Sequence, residues 1–361
     1  MNAEARLVAA TEADEVEMAI ADMAAEFFAD RAPLERQHAL ARRIEADEVA
    51  VEPELDLCRE MGDLGFFFQA VPKSAGGLGL STSVSSTIAR AAGRQLVPGI
   101  WLDQLAAVTL LGSVGSLALE SLGSGEEAVS LGVDSPNPGL IIDRKGTVSG
   151  SLAGVRFGSK VDRWAVVTED CLLVVDPSGI ELREEFDIDP LCMSVTGYFD
   201  GITPLEMFEL PGGRGRALSV ANGLVSAYSI GAASRCLDLA VEYVGGREQF
   251  GRPIGSFQAV KHRAANAWAD LLHAGASVDF AAANEWSTAT TEARIAADST
   301  YRTVAESALQ MHGGIGFTSE VPVHLFLKNA QRMRTWPRPT YEMVAEIRND
   351  LGLDDFRELV E

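Results

Sequence analysis

One short stretch concentrates side chains able to recognise a phosphorylated ligand: Arg247-Glu-Gln-Phe-Gly-Arg-Pro-Ile-Gly-Ser-Phe-Gln-Ala-Val-Lys261. An arginine presents a planar fork of donors that matches phosphate at two points, an amide adds a neutral donor and acceptor, and a phenylalanine adds a flat ring. Together they suit a nucleotide pyrophosphate and its neighbouring base. A helix–helix turn with a solvated arginine would carry the same residues, so both readings stand on this stretch alone. Other chemistries find less support. His38, His262, His273, His312 and His324 form no H-x-x-x-H or H-E-x-x-H pair, so no metal is expected. Cys58, Cys171, Cys192 and Cys236 show no C-x-x-C spacing, which points to free thiols in a reducing cytoplasm rather than a disulfide framework or a zinc site.

The elements that must hold the stretch are helices. Before it, Leu224, Tyr228, Ala232, Cys236, Ala240 and Tyr243 recur at helical spacing. Gly245-Gly246 weakens that helix, and Gly251-Arg-Pro-Ile-Gly255 turns the chain. Ser256 is placed as the N-cap of the next helix, whose apolar stripe starts with Phe257, Val260, Ala264 and Trp268. Residues 1–123 also read as helical, interrupted by a glycine-rich run from Gly65 to Leu80. From 124 to 211 the period shortens: Ala128–Val133, Trp164–Thr168, Cys171–Val175 and Leu205–Leu210 are β-rich and separated by turn residues. A small antiparallel barrel is expected there. Residues 212–361 return to helix, with Pro339 near the last boundary. The expected fold class is therefore mainly α with a central β-barrel. It comprises an N-terminal helical domain (1–123), a middle β domain (124–211) and a C-terminal helical bundle (212–361).

Composition narrows the partners. The 361 residues are 47% hydrophobic and 23% charged, as in a globular protein with more than one core. A net charge of −22 argues against nucleic acid and anionic membranes, although locally gathered arginines can still hold an anionic cofactor. The first residues show no basic segment followed by an apolar core, so no signal peptide is read, and no uncharged apolar run of about 20 residues is read as a membrane span. The cytoplasm is the expected compartment.

Two blocks in order carry a family resemblance: R-x-Q-F-G-R-P-I-G-x-F-Q-x-V-K-H, from Arg247 to His262, and Gln310-Met-His-Gly-Gly-Ile-Gly-Phe317. They closely resemble two signatures of the acyl-CoA dehydrogenase flavoprotein family. The resemblance implies FAD as cofactor, contacted here by Arg247, Gln249, Phe250, Gln310, Gly313 and Gly314 while a neighbouring subunit holds most of it. Arg247 would neutralise pyrophosphate, and the glycine pair would let backbone approach closely. Phe257 and Gln258 would pack beneath the same site. Gly65–Leu80 resembles the family's loop between early helices. Two further loops depart from the pattern: the "TEPxAGSD" loop corresponds to a shortened Val133–Gly139. In the "GxKxWITN" block, Gly154–Lys160 puts Gly158 where the family has an aromatic ring.

The chemistry that the resemblance implies requires a carboxylate to take the substrate α-proton while the flavin takes the β-hydride. The family keeps that base at one of two positions. An ungapped count from the glycine pair puts Trp336-Pro337 at the first, and a count back from Arg247 puts Ala221 at the second, followed by Asn222. Neither position has a carboxylate. Tyr341-Glu342 resembles the family's base segment only if a short insertion is allowed, so Glu342 is a weak candidate; Glu206 and Glu242 match no family base position. Retained outward contacts with no base resemble the non-catalytic subunit of α2β2 acyl-CoA dehydrogenases of steroid catabolism. That resemblance implies a homologous catalytic partner, a bulky steroid-derived acyl-CoA and an electron-transfer flavoprotein as acceptor. The alternatives are a self-sufficient homotetramer using Glu342 and a flavin-free structural or regulatory homologue. A DNA-associated branch is disfavoured by the charge.

Overall fold

The computed structural model describes residues 3–135, 139–286 and 289–350. Helices α1 (Ala3–Arg31), α2 (Leu34–Glu45), α3 (Leu55–Asp63), α4 (Thr82–Arg94), α5 (Ile100–Gly112) and α6 (Leu119–Gly123) come first. Apolar residues surround α5 on every side, and every residue from Ile100 to Leu111 except Thr109 is buried. Its two buried polar residues are used rather than tolerated. Gln104 Oε1 accepts the Val129 N–H at 2.7 Å and Asp103 Oδ1 accepts the Leu131 N–H at 3.1 Å. These are backbone donors along the outer edge of the first strand, which would otherwise be buried without partners.

Among the described residues there are ten strands: β1 (Val129–Val133), β2 (Ile141–Ile142), β3 (Val148–Arg156), β4 (Arg163–Val167), β5 (Cys171–Val175), β6 (Glu181–Glu185), β7 (Ser194–Ile202), β8 (Glu206–Glu209), β9 (Glu248–Gln249) and β10 (Arg252–Pro253). The first eight form two four-stranded sheets, β1-β4-β5-β8 and β2-β3-β7-β6, and no closed barrel exists among the described residues. This corrects the barrel. One pair, β1 with β4, is also parallel rather than antiparallel, because the chain builds β2 and β3 in the other sheet before returning. Glycines seat the sheets on each other: a Cβ at Gly132 would stand 2.5 Å from the Leu152 side chain, and one at Gly197 2.6 Å from the Trp164 ring. Pro136, Asn137 and Pro138 of the shortened loop lie outside the described residues.

The third block contains α7 (Gly213–Gly246), α8 (Gln258–Ala283), α9 (Ala289–His312), α10 (Val323–Met333) and α11 (Thr340–Asp350). Close backbone approach locks α7 to α4, since a Cβ at Gly93 or Gly231 would fall 2.1 Å from a carbonyl of the opposite helix. By length and composition alone α7 could cross a membrane, but 72% of its apolar window is buried inside the fold. Ser256 is not the cap of α8: it ends a 3-10 turn, and Phe257 stands at the N-cap without a capping side chain.

Candidate functional site

The Arg247 stretch folds as a two-residue hairpin. α7 stops at Gly246, the Arg247 N–H still bonds back to the Tyr243 carbonyl at 2.9 Å, and the Ile254 N–H closes onto the Arg247 carbonyl at 2.8 Å. β9 and β10 pair Gln249 with Arg252, leaving Phe250 (φ 55°) and Gly251 (φ 76°) as the turn. Positive φ at both central residues matches the twist of the flanking strands. A phenylalanine in the left-handed region is costly there, and its ring is 91% exposed. Phe257 lies behind it, edge-on at 6.1 Å and covered by the Arg252 guanidinium at 4.1 Å.

A cavity of about 700 Å³ opens beside the hairpin, between the end of α7, the first turns of α8 and the end of α9. Of the residues expected at a cofactor, Arg247, Gln249, Gln310, Gly313 and Gly314 line it. Phe250, Phe257 and Gln258 are not in its wall; they form the outer shoulder of the hairpin and the start of α8. Three polar wall residues were not read as site residues from the sequence: Tyr243, Arg263 and His312. Arg263 could have been found, because it follows Val260 by three positions on α8 and so shares its face. His312 packs flat on Tyr243, ring centroids 4.5 Å apart and planes 18° from parallel.

The charge of this wall is its most informative property. In a chain of net charge −22 it contains two arginines and no carboxylate. Neither Arg247 nor Arg263 makes an ion pair with a described residue. Gly313 has φ 65° and, like Gly314, has nothing within 4 Å of where a Cβ would stand, so bare backbone faces the opening. Two free guanidiniums, amides and open backbone form a donor set that fits the diphosphate of a dinucleotide.

A second cavity, about 1120 Å³, lies between the sheets, α10 and α11. Its charge is opposite: carboxylates outnumber arginines six to three, with Asp134, Glu169, Glu185, Asp187, Glu342 and Glu346 against Arg214, Arg332 and Arg338. Each arginine is already engaged. Arg214 pairs with Glu169 and Asp134, Arg332 with Asp187 at 2.6 Å, and Arg338 with Glu342 at 3.2 Å and Glu346 at 2.6 Å. Burial holds the Asp134 carboxyl above its ordinary range. This donor set does not fit a pyrophosphate. Nor does the block around Gly158 have room for a flat ring, because a Cβ there would stand 2.6 Å from Val195 and 2.8 Å from the Trp164 ring.

Of the two positions counted for a base, Ala221-Asn222 is built into the core, whereas Trp336-Pro337 lines the inner cavity, Trp336 buried and Pro337 half-buried. Ala221 is fully buried on α7, and Asn222 accepts from Arg294 Nη1 at 3.1 Å. Trp336 is buried, with the Arg156 guanidinium stacked 3.5 Å from its ring centroid and its carbonyl taking Arg294 Nη2 at 3.0 Å. Arg156 in turn meets Asp103 at 2.6 Å, both side chains at most 1% exposed. Burial lowers the Arg156 pKa and pushes the Asp103 carboxyl up to about 6 despite the pairing. Glu342 stands in the first turn of α11 with its side chain 42% exposed, taking the Arg338 bond and one from the Tyr341 hydroxyl at 3.3 Å. Glu206 is occupied elsewhere, accepting the Leu117 N–H at 2.8 Å before α6.

Comparisons with known proteins agree with this architecture. Residues 14–121 match the model for the acyl-CoA dehydrogenase N-terminal domain, and residues 215–337 that for the C-terminal domain. The chain is 32% identical over 281 residues to the acyl-CoA dehydrogenase IpdE2 of Mycobacterium tuberculosis, covering 76% of this chain and 78% of that one. Among solved structures, a variant of the Tcur3481-Tcur3483 steroid ACAD superposes with TM-score 0.83 at 21% identity, covering 94% of this chain and 98% of that one. The ChsE4-ChsE5 complex from Mycobacterium tuberculosis gives 0.81 at 22%, covering 94% and 97%.

Proposed function

Since this chain belongs to the acyl-CoA dehydrogenase family, we propose that it is the non-catalytic subunit of a heteromeric acyl-CoA dehydrogenase, completing an FAD site held mainly by a homologous catalytic partner. Its three blocks, 1–123, 124–211 and 212–361, serve as the domains of that fold. The observation that carries the reading is the opposite charge of the two cavities. The hairpin cavity offers unpaired arginines to an outside dinucleotide, whereas the chain's own inner cavity has more carboxylate than arginine, and every arginine there is tied.

Bound FAD would supply hydride acceptance from the substrate β-carbon. This chain's residues would supply position and charge: Arg247 and Arg263 neutralise the diphosphate, Gln249 and Gln310 fix its orientation, and Gly313-Gly314 admit it against the backbone. Among the described carboxylates of the inner cavity none stands at a family base position, and Asp134, though desolvated, is held by the Leu140 N–H at 3.0 Å and by Arg214. A dehydrogenase base works near neutral pH through desolvation, and Glu342 is instead partly exposed and ion-paired to Arg338. The base therefore comes from the partner. The similarity to a heteromeric steroid enzyme supports a bulky, ring-bearing acyl-CoA as substrate, with an electron-transfer flavoprotein as the electron acceptor.

Flavin content tests the proposal. The chain purified alone is expected to be FAD-poor, and the complex with its partner to hold half as many flavins as chains. A stoichiometrically yellow homotetramer from this chain alone overturns it and favours the self-sufficient reading, in which Glu342, also in the wall of the inner cavity, is the base. A complex without flavin would favour the structural homologue.

A further inference from the structure

His312 is the one wall residue of the hairpin cavity whose proton position is settled by its neighbours. Its Nδ1 lies 2.8 Å from the Ala308 carbonyl, an atom that only accepts, so Nδ1 carries the hydrogen and Nε2 presents a bare lone pair. Burial lowers its pKa from the ordinary histidine value and keeps the ring neutral around pH 7. The stack on Tyr243 fixes the ring plane. Nε2 has no partner among the described residues, yet it is not one of the polar atoms sealed from solvent, and the residue lines the cavity.

We propose that His312 Nε2 is a specificity-determining acceptor for a sugar hydroxyl of the bound dinucleotide. This inference rests on the FAD-site reading above and deepens it. His312 directly precedes Gly313-Gly314, and consecutive Cα atoms are about 3.8 Å apart, so its ring stands beside the backbone that would receive phosphate. A phosphate has no proton to give a bare lone pair at neutral pH. On the adenosine side of that diphosphate, the half this chain would reach, the nearest donors are the ribose hydroxyls. The sequence does not reveal this, because a histidine beside a glycine pair reads equally as a packed ring.

The test pairs ligand analogues with variants in the assembled complex, stripped of flavin and titrated with FAD, 2′-deoxyadenosine-FAD or 3′-deoxyadenosine-FAD. In the wild type one deoxy analogue is expected to bind about three- to tenfold more weakly than FAD, the usual value of one neutral hydrogen bond. His312→Phe keeps a ring against Tyr243 and should bring that ratio to near one. His312→Gln, which retains an acceptor, should restore part of it. Equal affinity of wild type for FAD and both analogues overturns the inference without any variant, and so does a ratio unchanged in His312→Phe. Arg247→Ala separates this from the parent reading: it should weaken all three ligands alike. If it weakens none, the cavity is not the dinucleotide site and the parent reading fails as well.

Discussion

The buried pair Asp103–Arg156 allows a sharp test of how the three blocks are joined. Asp103 is on α5, Arg156 ends β3, and the Trp336 ring under the guanidinium lies between α10 and α11. With the charges 2.6 Å apart and at most 1% exposed, removing one leaves the other uncompensated in the core. Asp103→Asn keeps an acceptor for the Leu131 N–H but drops the charge, and should cost about 3–5 kcal/mol of unfolding free energy. Arg156→Met should cost a similar amount. Because removing both charges leaves neither uncompensated, the double variant should cost clearly less than the two single losses summed, a coupling of about 2–3 kcal/mol. Urea unfolding followed by fluorescence gives both midpoint and slope. The pH dependence adds a second readout. The folded chain holds the Asp103 proton up to about 6, whereas an unfolded aspartate releases it near its ordinary value of 3.8. The folded state binds more protons in that window, so this group's contribution to stability falls as pH rises from about 4 to about 6. Asp103→Asn should erase that component. Single-variant losses that simply add, with an unchanged pH profile, would refute the argument.

Three further outcomes follow from the site. Arg247→Ala in the complex should weaken FAD retention roughly ten- to hundredfold, the worth of a charge-assisted bidentate contact, with the fold intact; equilibrium dialysis against free FAD reads it directly. Glu342→Gln should leave turnover of the complex nearly unchanged, whereas a general base contributes about 10²–10⁴-fold, so a steady-state assay that loses two orders of magnitude with flavin still bound would make Glu342 the base. Gly158→Ala must push a methyl against Val195 and the Trp164 ring and should cost about 1–3 kcal/mol, checked by urea unfolding of the isolated chain.

Much of the architecture was legible from the chain alone. The stripe from Leu224 to Tyr243 is buried on α7 apart from a half-buried Tyr243, and Cys171–Val175 is β5 to the residue. Apolar composition sufficed there, because β5 is an uninterrupted apolar run buried on both faces and α7 is buried without a break from Ala221 to Ala233. β3 and β7 were missed. Their glycines and serines dilute the β-rich pattern, and both owe their strand form to pairing across the sheet, Leu152 with Gly197 and Val155 with Val195.

Five residues expected at a cofactor line one cavity: Arg247 and Gln249 were singled out by their types, Gln310 and the glycine pair by the family resemblance. What the sequence could not reveal is which charges remain free. Arg214, Arg332 and Arg338 are as basic in the sequence as Arg247 and Arg263, and only packing gives the first three carboxylate partners and leaves the last two open to the hairpin cavity. The reason is range: a side chain's type is local, but its net field depends on neighbours brought in from elements far apart along the chain. Asp187 reaches Arg332 from across the fold, and Asp103 meets Arg156 only after α5 has docked beside the sheets.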